Sequence, residues 1–114
     1  IKQSKYIESC EVYGRYLRNE INDSSLYREI CPSKAELTLV YKYLGNSLQN
    51  TDNMYFNLEP NGISLCKLKI CLDIFRELGI VSLDLYNDTV RRIPVDGKVN
   101  LGNSEILRRL NESI

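Results

Sequence analysis

The sequence predicts an α+β domain in which helices gather around one long buried helix and a β-hairpin follows it. Three observations carry that expectation. From Leu65 to Leu78 apolar residues recur at helical spacing on so many sides that only a narrow polar wedge remains. Directly after Gly79 the period changes to two, with Val81, Leu83 and Leu85 alternating with Ser82 and Asp84. Serines that can cap helices, Ser33, Ser64 and Ser104, each stand just before an apolar run.

Taken in order, the first element is a helix. Tyr6, Cys10, Tyr13, Leu17 and Ile21 fall at steps of four, three, four and four, which makes one apolar stripe. Glu11 and Arg15 form an i,i+4 pair on another face, and Asn22-Asp23-Ser24-Ser25 breaks the helix. Residues 1–30 read as a connecting helix and linker. The interleaved Tyr13, Arg15, Tyr16 and Arg18 could stack on bases, but solvated arginines on an amphipathic helix are the simpler account.

Cys31-Pro32-Ser33-Lys34-Ala35-Glu36 is a helix start, because Ser33 and Glu36 have the spacing of a capping box. Leu37, Val40, Tyr41, Leu44 and Leu48 share a face, and Gly45-Asn46 weakens the last turn. Gln49 to Asn53 reads as a polar loop and Asn57 to Gly62 as a second break. Met54-Tyr55-Phe56 between them fits a strand or a single helical turn.

Ser64 caps the longest apolar helix, and Gly79 is placed to end it in the left-handed conformation. Leu65, Leu68, Cys71, Leu72, Phe75 and Leu78 cover one broad side, which Ile70 and Ile74 widen. Its wedge holds Lys69, Asp73, Arg76 and Glu77. In the hairpin, Asn87-Asp88 is a tight turn and Val90, Ile93 and Val95 lie on the return strand. Arg91-Arg92 disturbs the alternation and predicts a bulge, while Pro94 places the strand at an edge. Asp96-Gly97 turns again, Lys98 to Leu101 is short and extended, and Ser104 caps a last helix containing Ile106, Leu107 and Leu110. That order describes a winged-helix-like unit over residues 31–114, a helical core with a hairpin wing, preceded by the linker helix of residues 1–30. A full winged helix needs a further helix between residues 50 and 62, where the pattern is weak.

Bulk properties agree with a single domain. A chain of 114 residues buries roughly two-thirds of its unfolded surface, enough for a core without disulfides or metals. Hydrophobic residues at 43 % and charged residues at 26 % are ordinary globular usage. No apolar run reaches membrane-spanning length and no signal-peptide pattern opens the chain. The chain begins at Ile1 and its only methionine is Met54, which predicts a domain cut from a larger protein. Four cysteines (Cys10, Cys31, Cys66 and Cys71) form no C-x-x-C, and histidine is absent. Cys66 and Cys71, five residues apart, point about 140° away from each other around a helix. Buried free thiols in a reducing, cytoplasmic compartment are the expectation, with no metal site.

Chemistry is scarce. Without histidine no Ser-His or Cys-His arrangement can exist. The six glycines stand singly and make no phosphate cradle. Asp84 and Asp88 flank a hairpin turn, where aspartate caps backbone amides. No catalytic residue, metal ligand or cofactor is expected within this chain.

Winged helices often place a helix in the major groove and a wing on the backbone. The residues that would do so here are Lys69 and Arg76 on the long helix and Arg91 and Arg92 on the wing. Against this, Asp73 and Glu77 share the wedge. The fifteen basic and fifteen acidic side chains also cancel, and residues 1–33, 34–79 and 80–114 are each neutral. Docking onto the parent protein or onto a protein partner is the better-supported use.

The stretch from Ile63-Ser64-Leu65-Cys66 through Phe75-Arg76-Glu77-Leu78-Gly79-Ile80-Val81 resembles the C-terminal domain of the RecJ family of single-stranded-DNA-specific exonucleases, in its clostridial and related Firmicute form. Cys31-Pro32-Ser33-Lys34-Ala35-Glu36-Leu37 with Val40-Tyr41-Lys42-Tyr43-Leu44 fits upstream, and Lys98-Val99-Asn100-Leu101 with Ser104-Glu105-Ile106-Leu107 fits downstream. The resemblance covers roughly residues 31–114 and implies a parent enzyme that degrades single-stranded DNA from the 5′ end in recombination and repair. It also implies Mn²⁺ or Mg²⁺ held by aspartates and histidines of DHH-type motifs in the parent's catalytic core, positions that do not occur in this chain. What it leaves here is an accessory domain for domain packing, partner docking or DNA-end engagement. Its implied partners are the rest of the exonuclease, single-stranded DNA, or a repair or replication protein. A stand-alone winged-helix regulator or adaptor is the alternative.

Overall fold

The computed structural model describes residues 2–114, with side chains described from Ser9 onward. Its helices are α1 (Lys2–Leu17), α2 (Ser24–Ile30), α3 (Lys34–Leu44), α4 (Thr51–Leu58), α5 (Leu65–Glu77) and α6 (Glu105–Glu112). Three short strands, β1 (Gln49–Asn50), β2 (Val81–Asp84) and β3 (Thr89–Arg92), form an antiparallel sheet in the order β1-β3-β2. The result is an α+β domain with a helical core and a hairpin.

α5 is the centre. Leu65, Cys66, Leu68, Ile70, Cys71, Leu72, Ile74 and Phe75 are all buried, so its apolar surface wraps most of the helix. Val40 and Leu44 of α3, Met54 and Leu58 of α4, Val81 and Val90 of the hairpin and Leu110 of α6 close around it. The stretch from Val12 to Ile30 contributes to the same core, since Ile21 and Ile30 are buried in it and Val12, Tyr13 and Tyr16 pack against it.

The predicted caps form. Ser33 Oγ accepts from Glu36 N at 3.1 Å while Glu36 Oε1 accepts from Ser33 N at 3.0 Å, completing the capping box of α3. Ser64 and Ser104 accept from Lys67 N and Leu107 N, each at 3.1 Å. Gly79, at φ 75°, ends α5 with Ile80 N donating to Phe75 O and Gly79 N to Arg76 O, which turns the chain into β2.

Several expectations are corrected. The stripe from Tyr6 to Ile21 is not one helix. α1 stops at Leu17, whose side chain is 62 % exposed. Asn19, at φ 57°, reverses the chain with Glu20 N bonded to Arg15 O, and that turn carries Ile21 into the core independently of helical phase. Tyr6's side chain lies outside the described ones. The break expected at Asn22-Asp23-Ser24-Ser25 is present at Asn22 and Asp23, but Ser24 and Ser25 already open α2, because Asp23 caps Ser25 N at 2.9 Å. The polar run from Gln49 is likewise a cap and a first turn. Asn50 accepts from Asp52 N and Asn53 N, and Met54 and Leu58, four apart, bury the inner face of α4. Leu48, expected on the face of α3, lies beyond Gly45 and is 53 % exposed. The strand pair runs without a bulge, from Val81↔Arg92 to Asp84↔Thr89, and β3 is central rather than an edge. Pro94 causes no conflict because the strand has already ended at Arg92.

Glu36 links two helices as well as capping one: Lys67 Nζ of α5 reaches its Oε2 at 2.8 Å, with both side chains largely covered. Burial opposes ionisation of Glu36, but the Lys67 ammonium and the Ser33 amide outweigh it and hold the carboxyl below its ordinary value. A lowered folded pKa contributes stability that is present above the ordinary carboxylate range and lost as the pH falls through the folded value. Urea denaturation of Glu36→Gln between about pH 7 and about pH 3 should therefore show a smaller acid-side loss of stability than the parent chain. An unchanged acid-side slope would contradict this role.

Candidate functional site

The surface singled out by the sequence is the polar wedge of α5 together with the hairpin. Three of the four side chains of the wedge, Lys69, Asp73 and Glu77, are engaged by another element. α1 lies along α5, and its Tyr13 hydroxyl donates to Asp73 Oδ2. Lys69 Nζ sits 5.4 Å from the centroid of the same tyrosine ring, and Tyr16 stacks beside it with centroids 6.0 Å apart. Ser9 Oγ, buried at the far end of the contact, accepts from Cys66 N. At the C-terminal end of the wedge Glu77 Oε1 accepts from Ser104 Oγ at 2.6 Å, beside the N-terminus of α6.

The electrostatics follow from burial. Removal from water raises the Asp73 pKa, and the hydrogen bond from Tyr13 with the nearby Arg76 and Lys69 works against that rise. The same burial, with Asp73 alongside, pushes the Tyr13 phenol well above its ordinary value and Tyr16 up to about 12. The Tyr13 phenol, neutral at neutral pH, donates to the Asp73 carboxyl and so ties two helices together.

The four residues expected to meet nucleic acid are not gathered. Lys69 lies over Tyr13, beneath α1. Arg76 is exposed and its Nη2 lies 3.9 Å from Asp73 Oδ1, one turn back on the same helix. Arg91 and Arg92 are neighbours on β3 and so point to opposite faces. Arg91 faces solvent, whereas Arg92 turns inward onto α3. Its guanidinium carbon lies 3.9 Å from the centroid of the Tyr41 ring, and its Nε donates to Tyr41 O at 3.0 Å. Tyr41 in turn meets Phe75 edge-on at 5.4 Å, so Arg92 continues a stack that begins in the core.

The hairpin aspartates build the turn. Asp84 accepts from Tyr86 N, Asn87 N and Asn87 Nδ2, and these bonds, that of the Asn87 side chain foremost, hold its carboxyl below the ordinary value. Asp88 takes a left-handed φ of 53° and its carbonyl accepts from Thr51 N at 2.9 Å, fastening the turn to the start of α4. Leu85, expected on the strand, lies with Tyr86 in the turn after Asp84, and the two are 74 % and 94 % exposed.

Cys66 and Cys71 are buried free thiols on different sides of α5. Burial pushes Cys66 up to about 12 and Cys71 higher still, which leaves neither as a thiolate at neutral pH. Among the described residues no group of three or more cysteines and carboxylates is arranged to hold a metal ion.

Two of the concavities in the described surface bear on the site. One, of about 360 Å³, lies between α1, α2 and the start of α5, with Val12, Leu26, Ile30 and Ile63 as its apolar walls. A wider groove of about 770 Å³ runs beside the end of β3, past Arg91, Arg92, Ile93 and Val95. Sequence reasoning found neither, because both are made by segments distant in the chain. Comparison with protein-family models, curated proteins and solved structures finds no match for this chain.

The contrast between neighbouring arginines is directly measurable. Arg92→Ala should lower the free energy of unfolding by about 2–3 kcal/mol, through the loss of charge-assisted bonds to a carbonyl and of a partly buried cation–π contact. Arg91→Ala should change it by no more than about 0.5 kcal/mol. Equal effects in urea denaturation would contradict the opposed orientations.

Proposed function

We propose that this chain is a non-catalytic, winged-helix-like accessory domain of a RecJ-type single-stranded-DNA-specific 5′–3′ exonuclease acting in recombination and repair in the cytoplasm. In this reading its surface serves packing and partner docking, and it does not read DNA through α5. The exonuclease assignment is supported by the three sequence blocks within residues 31–114 that resemble that family. The winged-helix reading is supported by the order α3-β1-α4-α5-β2-β3 with β3 between β1 and β2. It gains support from α4, which supplies the helix that the sequence pattern left weak.

One observation carries the use of the domain. The outward face of α5, which a DNA-reading winged helix would lay in the groove, is met by α1 at Lys69 and Asp73 through Tyr13, and only Arg76 and Glu77 at its C-terminal end stay exposed. A helix held this way cannot enter a groove unless α1 leaves. Neutral total charge and the acidic members of the wedge agree with it. The metal chemistry, with Mn²⁺ or Mg²⁺, belongs in this reading to the parent's catalytic core and to none of the residues present here. No helix among the described residues is long and apolar enough to cross a membrane.

Fluorescence anisotropy with single-stranded and duplex oligonucleotides at near-physiological salt should give a Kd no tighter than about 10 µM, the range of non-specific binding. Lys69→Ala should leave it unchanged. Sub-micromolar affinity that falls with Lys69→Ala or Arg76→Ala would overturn the docking reading in favour of a DNA-binding regulator. The exonuclease assignment is checked separately by the reading frame upstream of Ile1: a DHH-type motif supports it, and a frame without one contradicts it.

A further inference from the structure

The groove beside β3 has a composition unlike the rest of the surface. It is lined by two arginines and by Tyr41, Ile93, Val95 and Val99, and no carboxylate lines it. Neither Arg91 nor Arg92 forms an ion pair among the described residues, although Arg76 of α5 and Arg108 and Arg109 of α6 all do. Ile93 and Val95 remain 39 % and 42 % exposed beside those cations.

We propose that this groove docks an extended acidic segment of a partner protein, one that carries aliphatic side chains next to its carboxylates. The two requirements come from the two kinds of wall. Arg92 is held in place by the Tyr41 ring and carbonyl, with its Nη1 edge free of hydrogen bonds among the described residues. A guanidinium already fixed in one orientation loses little freedom when a carboxylate meets it. Ile93, Val95 and Val99 gain from covering by aliphatic groups, which a purely anionic ligand lacks. The backbone also favours a peptide. Residues 94–99 make no hydrogen bond through their main chain among the described residues, so their C=O groups, and the N–H groups of 95–99, are open to a strand laid alongside.

Single-stranded nucleic acid fits less well. It needs aromatic faces to stack on and a track of cations. Tyr41 is the one aromatic ring lining the groove, with Arg92 over its face and Phe75 against its edge. Two cations, followed in the chain by Asp96, make a short track. The inference rests on the groove alone and stands or falls independently of the exonuclease assignment.

The test is amide chemical-shift mapping on the isotope-labelled chain, titrated with a peptide of alternating aspartate and isoleucine. The same peptide with asparagine for aspartate and an oligo(dT) serve as comparisons. The acidic peptide should give saturable shifts confined to residues 91–99 and to the end of α3, and the asparagine peptide should bind about tenfold more weakly. Arg91→Glu and Val95→Asp, both at exposed positions, should each weaken the acidic peptide by about tenfold while the spectrum stays dispersed. Absence of saturable shifts would overturn the proposal, as would affinity undiminished by Arg91→Glu. Tighter binding of oligo(dT) at the same amides would overturn it in favour of a nucleic-acid groove.

Discussion

A helix buried on nearly all sides has to find partners for its few polar groups, and in this domain α5 sets that condition for every element around it. Its apolar residues reach so far around the circumference that α3, α4, the hairpin and α6 can all pack on it. The polar groups that remain are then taken up one by one: Lys67 by Glu36 of α3, the Cys66 amide by Ser9 and Asp73 by Tyr13 of α1, Glu77 by Ser104 ahead of α6. All but that of the exposed Glu77 meet a covered charge or amide that would otherwise be left unsatisfied. The N-terminal helix is therefore joined to the core chiefly through tyrosine, serine and a carboxylate. Val12, Tyr13 and Tyr16 are only partly buried, and Leu17 of the same helix stays largely in water.

The hairpin is attached by a different device. Val81 and Val90 supply its buried contacts, and Arg92 extends the Phe75–Tyr41 stack outward so that a cation seals the joint between β3 and α3. Thr51 and Asp88 close the other end. Because β3 is central and Arg92 turns inward, Arg91 is left facing water beside exposed aliphatic residues, and that juxtaposition makes the groove. The same alternation that completes the sheet thus separates two adjacent arginines into a structural one and an available one.

Much of the fold was legible wherever a single local rule governs. The capping box at Ser33 and Glu36, the caps Ser64 and Ser104, the left-handed Gly79 and the change of period after it all require only neighbours within one turn. α4 was missed although its signals were present. Asn50 and the spacing of Met54 and Leu58 are a cap and a two-residue stripe, too short to outweigh the polar composition around them. The path after α1 was misread because a left-handed Asn19, not a helical phase, delivers Ile21 to the core. For the candidate site the wedge of α5 was read correctly as polar but not as partly covered, since the covering residues Ser9 and Tyr13 lie more than fifty positions away in the chain. Periodicity assigns a face to solvent when it is polar and cannot see a second polar helix placed upon it.

In solution α1 lies against the polar face of α5, and the arrangement of the other elements depends on that contact. The most direct measurement is the set of nuclear Overhauser effects between the Tyr13 ring and the Lys69 side chain at neutral pH, read together with amide exchange along α1. Cross-peaks from that ring to Lys69, with slowed exchange through the middle of α1, are predicted. A Tyr13 ring without such cross-peaks, in a helix whose amides exchange as fast as unprotected ones, would contradict it.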